Sequence, residues 1–454
     1  MSYRSLVCRM GPQDTGSIAG IAAGSHVTEI SLVTGHHRLG FGLGHALEQL
    51  GELGLRASET AVDLAVLAAM VTAADTRISR SNEALDRWSR EIDLHVPVAD
   101  APRWATQANL LAGMLHFLTG DRWNIYFRSR PSSLGTLAPT PVAAPPAESP
   151  DCVCLLSGGL DSFIGAIDLL KAKRRPLFVS HYWDGITSKH ESHCIGALRG
   201  HWATRPIPHI RARVGFPSGL VPGAGDEDTL RGRSFLFFAL ATMAASALGD
   251  GVTVYLPENG LISLNVPLDA LRLGALSTRT THPFYVARFN ELLHALGAGA
   301  QLENPYRHKT KGEMVRDCAD LNFLRLHAKD TMSCSSPTKA RWSGHEPMHC
   351  GHCVPCLIRR AALLAGLGSD DTKYSIPSLT AQILNSAKAE GSHVRSFQVA
   401  LERLQAAPKR ARFAIHQSGP LTDHRQDWPA YEAVYLKGMR EVAALLAGVR
   451  AQPL

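Results

Sequence analysis

Four cysteines in the last third of the chain have the spacing of ligands for one metal ion. Cys350, Cys353 and Cys356 form two adjoining C-x-x-C pairs, and Cys334 lies far enough upstream for the chain to loop back. Four thiolates suit tetrahedral Zn²⁺, and the spacing leaves no evident open coordination position. We therefore expect a structural zinc site.

Two alternatives for this metal remain open. Three histidines lie near the cysteines, and any of them could replace one thiolate in a Cys₃His set: His345, His349 and His352. An iron–sulfur cluster is the second alternative, because it also takes cysteine thiolates.

A second group of residues lies where a predicted strand meets a predicted helix. The apolar residues 153–156 end at Ser157-Gly158-Gly159-Leu160-Asp161-Ser162, and a helical pattern follows over 163–170. Two glycines let the backbone approach an anion, and the free N–H groups at the positive helix end favour a phosphate. Ser157 and Ser162 add hydroxyl donors, whereas Asp161 either orients the loop or holds Mg²⁺. The lysine of a Walker-type loop and the third glycine of a dinucleotide fingerprint are absent.

The segments around this loop alternate between strands and helices. Apolar runs over 177–181, 207–210 and 252–256 predict strands, and helical patterns cover 189–204 and 230–248. This order predicts an α/β fold, a Rossmann-like parallel sheet with helices on both faces.

Residues 129–150 separate two parts of different composition. Six prolines among serine, alanine and threonine predict a semi-extended linker there. Residues 1–128 predict a small N-terminal α+β domain, in which Ser58 caps a helix, strands cover 91–96 and 123–127, and a helix covers 103–118. After the linker we expect a nucleotide-binding domain over 151–365 and a helical C-terminal region over 366–454.

The composition excludes several classes of protein. With 454 residues, of which 45% are hydrophobic and 19% charged, the chain can bury large cores and is not disordered. The net charge of +7 permits anionic ligands but does not argue for nucleic acid. Nine cysteines, an odd number, do not predict a disulfide framework. No apolar stretch reaches the ~18 residues of a membrane span, and no signal pattern begins the chain, so we expect a cytoplasmic protein.

Several segments together resemble one enzyme family. Residues Ser157 to Ser162 resemble the pyrophosphate-binding loop of the PP-loop ATP pyrophosphatases, whose fold is that of the adenine nucleotide alpha hydrolases. Three later segments are similar to the 7-cyano-7-deazaguanine synthase family, QueC: Gly232-Arg233-Ser234, Lys309-Thr310-Lys311-Gly312-Glu313-Met314-Val315, and Thr331-Met332-Ser333-Cys334 with Cys350 to Arg359. The resemblance covers about 151–365. Tyr182-Trp183-Asp184 departs from the Tyr-Gly-Gln of that family.

The resemblance implies an ATP-dependent ligase or synthase that forms a carbon–nitrogen bond. ATP would convert the carboxylate of a 7-carboxy-7-deazaguanine-like base into an acyl-adenylate, and an amine would then give an amide or, after a second activation, a nitrile. Mg²⁺ would accompany ATP, and Zn²⁺ would occupy the cysteines. The residues that would act are the loop Ser157, Gly158, Gly159, Leu160, Asp161 and Ser162 on pyrophosphate, Asp161, Arg233 and Lys311 in catalysis, and Tyr182, Glu258 and Asn259 on the base.

The N-terminal extension is similar to that of QueC-like proteins found in anti-phage gene clusters. That similarity implies a defence role and a protein partner from the same operon, docked by residues 1–128, although the domain could instead only cover a hydrophobic face. We expect no membrane contact and consider nucleic acid unfavoured. Two other functions stay open: a tRNA-modifying PP-loop enzyme, which would need a reactive cysteine pair such as Cys152 and Cys154, and an inactive nucleotide-binding scaffold.

Overall fold

The computed structural model describes residues 3–34, 38–84, 86, 88–146, 148–269, 279–344 and 346–454. The elements before the predicted linker are β1 (Arg4–Arg9), β2 (His26–Ser31), β3 (Val33–Thr34), β4 (Arg38–Leu39), α1 (Leu43–Glu52), α2 (Glu59–Arg77), α3 (Arg80–Glu83), β5 (Glu91–Val98), α4 (Ala101–Ala105), α5 (Ala108–Thr119) and β6 (Arg122–Ser129). Strands β2-β1-β5-β6 form one sheet in that order.

This N-terminal sheet corrects the predicted α+β class. Its neighbouring strands all run parallel, and helices lie between β2 and β5 and between β5 and β6, so the N-terminal part forms a second α/β unit. Strand β5 was predicted to be half-buried, yet Asp93 and His95 are as buried as the apolar residues between them. Strand β5 lies inside the sheet, and both of its faces are covered. Its polar side chains are therefore buried, and they have partners within the protein. Asn124 donates to Asp93, and His95 stacks on Tyr126.

The second sheet has the predicted α/β architecture. Its elements are β7 (Cys152–Leu155), α6 (Leu160–Lys171), β8 (Pro176–His181), α7 (Gly185–His201), β9 (His209–Ala212), α8 (Arg233–Ser246), β10 (Val252–Tyr255), α9 (Gly260–Leu264), α10 (Pro283–Leu296) and β11 (Ala300–Glu303). The order β11-β10-β7-β8-β9 is entirely parallel. The strand order reverses between β7 and β10, which is where such sheets bind ligands, beyond the carboxyl ends of the strands.

The two sheets share one hydrophobic core. Helix α2 packs against α8, and both helices are buried around almost their whole circumference. Apolar side chains of the first sheet, such as Leu94, and of the second, such as Leu177, belong to the same cluster. The N-terminal part therefore covers one face of the second sheet.

The predicted linker is not a free tether. Leu134, Leu137 and Ala138 are buried, and Arg130 forms a buried ion pair with Asp63 of α2. Apolar side chains between the prolines explain this packing, because they gain free energy by leaving water. Removing residues 1–128 would therefore expose α8 and the underside of this segment.

A buried ionic cluster connects the N-terminal part to the start of α8. Arg90 and Arg80 both pair with Asp75 and Asp121, and all four side chains are at most 4% exposed. The other carboxylate oxygen of Asp75 accepts the backbone N–H of Gly232 at 2.7 Å. Gly232 directly precedes the first residue of α8, so α2 holds the beginning of that helix in place.

The C-terminal region packs into a core of its own, to which α9 and α13 also contribute. The elements after the second sheet are α11 (Lys311–Arg316), α12 (Leu321–His327), α13 (Val354–Leu367), β12 (Leu384–Asn385), α14 (Ala389–Ala406), α15 (Ala411–Ala414), α16 (Trp428–Leu445) and β13 (Ala451–Gln452). Of these, α11 and α12 belong to a different core, which they share with α6. Helix α16 packs against α9, α11 and α13. Among the described helices, none has the length and apolar character needed to cross a membrane.

Candidate active site and metal centre

The loop Ser157 to Ser162 closes on itself between β7 and α6. Gly158 has a φ of +74°, and a Cβ there would lie 2.8 Å from the backbone nitrogen of Glu191, so this position requires glycine. The Ser162 hydroxyl accepts the N–H of Ser157 at 3.2 Å and donates to the carbonyl of Gly159 at 3.0 Å. The N–H groups of the first turn of α6 have no acceptor within the helix. Backbone geometry of this kind can hold an anion.

A cavity of about 470 Å³ opens beside this loop. Its volume lies within the range of sites for small-molecule ligands. Aromatic, acidic and basic side chains meet in its wall with the two loop hydroxyls, among them Ser157, Ser162, Trp183, Arg233, Phe237 and Glu258. Cys334 also lines it, so the candidate metal centre borders the same cavity.

Arg233 is the first residue of α8 and presents a cation to this cavity. Its guanidinium lies over the ring of Phe237 at 4.9 Å, and its buried Nε has no hydrogen-bond partner among the described residues. Burial lowers the pKa of Arg233, against the opposing charges of Glu191 and Asp184, yet an arginine stays charged in proteins. A partly desolvated cation with unused donors is well suited to bind a phosphate.

Glu191 lies beneath the loop without exposure to solvent. Neither carboxylate oxygen has a hydrogen-bond partner among the described residues, and the nearest cation is Arg211, whose Nε is 3.7 Å away. Burial raises the pKa of Glu191 from 4.5 to about 7, and Arg211 and Arg233 oppose that rise. No periodic pattern or motif in the sequence indicates a role for Glu191, which the fold brings next to Gly158.

Asp161, Lys311 and Asn259 form a cluster that is buried and does not line the cavity. The Nζ of Lys311 is 3.0 Å from Oδ1 of Asp161, and the amide of Asn259 donates to Oδ2 of Asp161 at 2.7 Å. The Asn259 side chain also caps α9 by accepting the N–H of Ile262. Lys311 and Asn259 were predicted to face phosphate and base respectively, but their side chains are committed to Asp161.

The other two predicted base-binding residues differ in position. Glu258 lines the cavity, and its carboxylate accepts the hydroxyl proton of Thr281. Burial raises the pKa of Glu258 from 4.5 to about 7, and the charge of Asp161 adds to the shift. Tyr182 is not among the lining residues; its ring lies under Arg211 at 4.6 Å. Its neighbour Trp183 takes the position at the cavity.

The four predicted cysteines converge into one cluster. Their sulfur atoms all lie within 4.8 Å of one another, with Cys334 to Cys353 and Cys350 to Cys356 both 3.9 Å apart. A tetrahedron with Zn–S bonds of about 2.3 Å has edges of about 3.8 Å, which the two separations of 3.9 Å match. Backbone N–H groups of Cys350 and Cys353 point at sulfur atoms, which favours thiolates.

His349 and His352 each have a partner outside the cluster, and His352 also contacts the sulfur of Cys350. His349 is buried, and its Nε2 accepts the N–H of Ser333 at 3.1 Å. The Nδ1 of His352 lies 3.0 Å from the carbonyl of Ala389. His345 lies outside the described residues. The described geometry therefore favours four thiolates over a Cys₃His set.

A single segment connects the cysteine cluster to the loop. The N–H of Met332, two residues before Cys334, donates to the carbonyl of Gly158 at 2.8 Å. Arg359, fully buried in α13, donates to the hydroxyls of Thr331 and Ser333 and so holds this segment. The sequence placed Arg359 in a family-like segment but gave no sign that its partners would lie beside the loop.

We predict that Cys353→Ser removes the zinc that remains on the protein after a chelator wash. Structural zinc contributes folding free energy directly, so the melting temperature should fall as well. Metal analysis and thermal unfolding check both effects. Cys318→Ser is the matched control, because Cys318 is a buried cysteine outside the cluster. Retention of zinc by Cys353→Ser at an unchanged melting temperature would contradict the assignment.

We predict that Glu191→Gln stabilises the protein at pH 8. The pKa of Glu191 is about 7 in the folded state and 4.5 in the unfolded state. The free energy of unfolding therefore falls as the pH rises from 4.5 to about 7. A shift of this size corresponds to roughly 3 kcal/mol, most of which is absent at pH 5.

Urea unfolding at pH 8 and pH 5 measures the difference between wild type and variant. Glu48→Gln is the control, since the Glu48 side chain is 40% exposed. An equal effect of Glu191→Gln at both pH values would show that Glu191 does not titrate as described.

Part of the chain is similar to a known protein family. No curated protein was found that matches the chain. Residues 281–366, however, match the family described as queuosine biosynthesis protein QueC. The matched region contains Lys311, the four cysteines and Arg359, whereas the loop Ser157 to Ser162 lies outside it. The part of the candidate site that residues 281–366 contribute is therefore similar to QueC.

Proposed function

We propose that the chain is a PP-loop enzyme that uses ATP to adenylate a carboxylate, which then forms a carbon–nitrogen bond. The observation that carries this proposal is the glycine loop at the strand-order reversal, which opens into the same cavity as Arg233 and Cys334. The similarity of residues 281–366 to QueC supports the ATP-dependent synthase class.

The proposed first step needs charge compensation more than covalent help. The carboxylate oxygen attacks the α-phosphorus of ATP, and the bond to the bridging oxygen breaks to release pyrophosphate. The N–H groups of the loop and the hydroxyls of Ser157 and Ser162 bind the leaving pyrophosphate, and Arg233 offsets its growing charge. Mg²⁺ would neutralise phosphate oxygens when bound with ATP, and Asp161 is the carboxylate within the loop sequence. Lys311 acts by holding Asp161 in place.

The proposed substrate is a 7-carboxy-7-deazaguanine-like base. Trp183 and Phe237 in the wall of the cavity offer faces on which such a base can stack. Glu258 can pair with the amide edge of the base, and with a pKa of about 7 it can do so as donor or acceptor.

The proposed second step joins the acyl group to an amine. The amine nitrogen attacks the acyl carbon, the bond to AMP breaks, and a proton leaves the nitrogen. Resemblance of the domain architecture to QatC of the Qat anti-phage system supports an amine on a partner protein from the same operon. A protein amine gives a secondary amide, which lacks the second N–H needed for dehydration to a nitrile. Exposed Tyr3, Val27 and Tyr126 in and beside the first sheet are where such a partner would dock.

The competing functions have less support. A tRNA-modifying enzyme that transfers sulfur needs a reactive thiolate, but Cys152 and Cys154 are fully buried, and burial raises the pKa of Cys152 to about 12. An inactive scaffold would not need to keep a desolvated, unpaired Arg233 beside a closed glycine loop.

The adenylation step is tested by exchange of labelled pyrophosphate into ATP in the presence of 7-carboxy-7-deazaguanine. We expect exchange by the wild-type protein and a loss of about 10²–10³-fold in Arg233→Ala, the usual effect of removing one charge-stabilising donor. Arg233 is a cleaner target than Asp161, whose removal would leave Lys311 buried without its partner.

Arg122→Ala provides the control for this assay, because the Arg122 side chain is 72% exposed and does not line the cavity. Retention of the cysteine-bound zinc shows that each variant is folded. Absence of exchange by the wild-type protein, or full exchange by Arg233→Ala, would refute the proposal.

The acceptor is tested by mass spectrometry on the full-length chain co-expressed with its operon partners. We expect the acyl-deazaguanine mass on an amine of a partner protein. A free amide or nitrile as the sole product would refute the partner proposal and leave adenylation standing. Truncation is not used, because residues 1–128 share their core with the rest of the chain.

A further inference from the structure

Two histidines and an aspartate outside the cavity form a second metal-ligating set. His193 lies on α7, His327 ends α12, and Asp330 lies in the following 3₁₀ turn. One potential ligand atom of each residue lies within 4.8 Å of the others. None of the three lines the cavity or belongs to the cysteine cluster.

The surroundings of His327 leave one of its nitrogens without a partner. Its Nδ1 is buried and makes no hydrogen bond within the described part of the chain. Phe323 and Phe163 pack against the ring, with centroids 4.7 and 6.3 Å away, and hold its orientation. An unsatisfied buried nitrogen costs free energy, and a cation coordinated at that nitrogen would remove the cost.

The other two residues leave the set open to solvent on one side. The Nε2 of His193 is 3.2 Å from Oδ2 of Asp330, and the two side chains are 40% and 37% exposed. Three protein ligands with access to water are the donor set of zinc sites that keep a fourth, open position. His327 and Asp330 are three residues apart, so one turn presents both.

We propose that His193, His327 and Asp330 bind a Zn²⁺ ion, separate from the ion of the cysteine cluster. Two imidazole nitrogens and one carboxylate oxygen match the preference of this borderline cation. A simple His193–Asp330 ion pair would use only two of the three groups and would leave Nδ1 of His327 unsatisfied.

A cation here would join α7 to the segment that supports the loop. His190, one turn before His193, places Nδ1 2.6 Å from the carbonyl of Asp330. Met332, two residues after Asp330, donates its backbone N–H to the carbonyl of Gly158 in the loop. Coordination would therefore restrain α7 and the segment from Asp330 to Met332, which both adjoin the loop. We expect this second zinc ion to raise the melting temperature above that of the protein with only the cysteine-bound zinc.

The test is a zinc titration of the full-length protein that has been washed to one zinc per chain. We expect the wild-type protein to bind a second zinc ion and to melt at a higher temperature with it. His193→Gln and His327→Gln should each stay at one zinc and show no shift on zinc addition. His201→Gln, a nearby histidine that pairs with Asp320 instead, should behave as the wild type.

Substitution with Co²⁺ distinguishes the two sites by their spectra. The cysteine site should give the intense sulfur-to-metal charge-transfer bands, whereas the second ion should add only weak bands that disappear in His327→Gln. Each variant retains the cysteine-bound zinc if it is folded. A wild-type protein that binds only one zinc, or a His327→Gln protein that binds two, would overturn the proposal. Neither readout depends on ATP, so the result is independent of the proposed enzymatic function.

Discussion

Helix α8 is apolar on almost every face, and this property constrains the rest of the molecule. A helix of this kind must be covered on all sides. The second sheet covers one side of α8, and α2 covers another. Helix α2 is itself buried on almost every side and lies under the first sheet, so burying α8 requires the whole N-terminal unit. The proline-rich segment between the units packs down because it lies across that shared core.

The contact between α2 and α8 also positions Arg233, the cation that lines the cavity at the start of α8. Asp75 of α2 accepts the N–H of Gly232, and the next residue is Arg233. Asp75 is in turn held by Arg80 and Arg90 in a cluster with very little exposure to water. Removing one member of such a buried cluster usually costs about 3–5 kcal/mol. The N-terminal unit is thus part of the support of the cavity, whatever else it binds.

The charges around the cavity divide into two kinds. Lys311 and Asp161 neutralise each other below the loop, and this pair stabilises the backbone from which the N–H groups project. Within the described part of the chain Arg233 has no such partner, and it lines the cavity, while Glu191 and Glu258 are carboxyl groups whose pKa values burial raises to about 7. The cysteine cluster adds rigidity from the other side, since its segment from Thr331 to Cys334 is bonded to the loop and to Arg359.

The features that depend on local spacing could be predicted from the sequence alone. Cys334, Cys350, Cys353 and Cys356 cluster as predicted, and the glycine loop follows the first strand of a parallel α/β sheet. Strand and helix positions in the second sheet follow from apolar runs and turn residues, which act over short distances.

Contacts between residues that are distant in sequence became known only from the tertiary structure. Lys311 and Asn259 turn to Asp161, Tyr182 turns away from the cavity, and His193 meets His327 and Asp330, because helix packing sets these distances. The parallel first sheet and its shared core were also missed. Alternation in β5 indicated solvent on one face, but Asp93 and His95 are buried with partners that lie elsewhere in the chain. A residue's exposure depends on what covers it, and the covering element is not encoded near it in sequence.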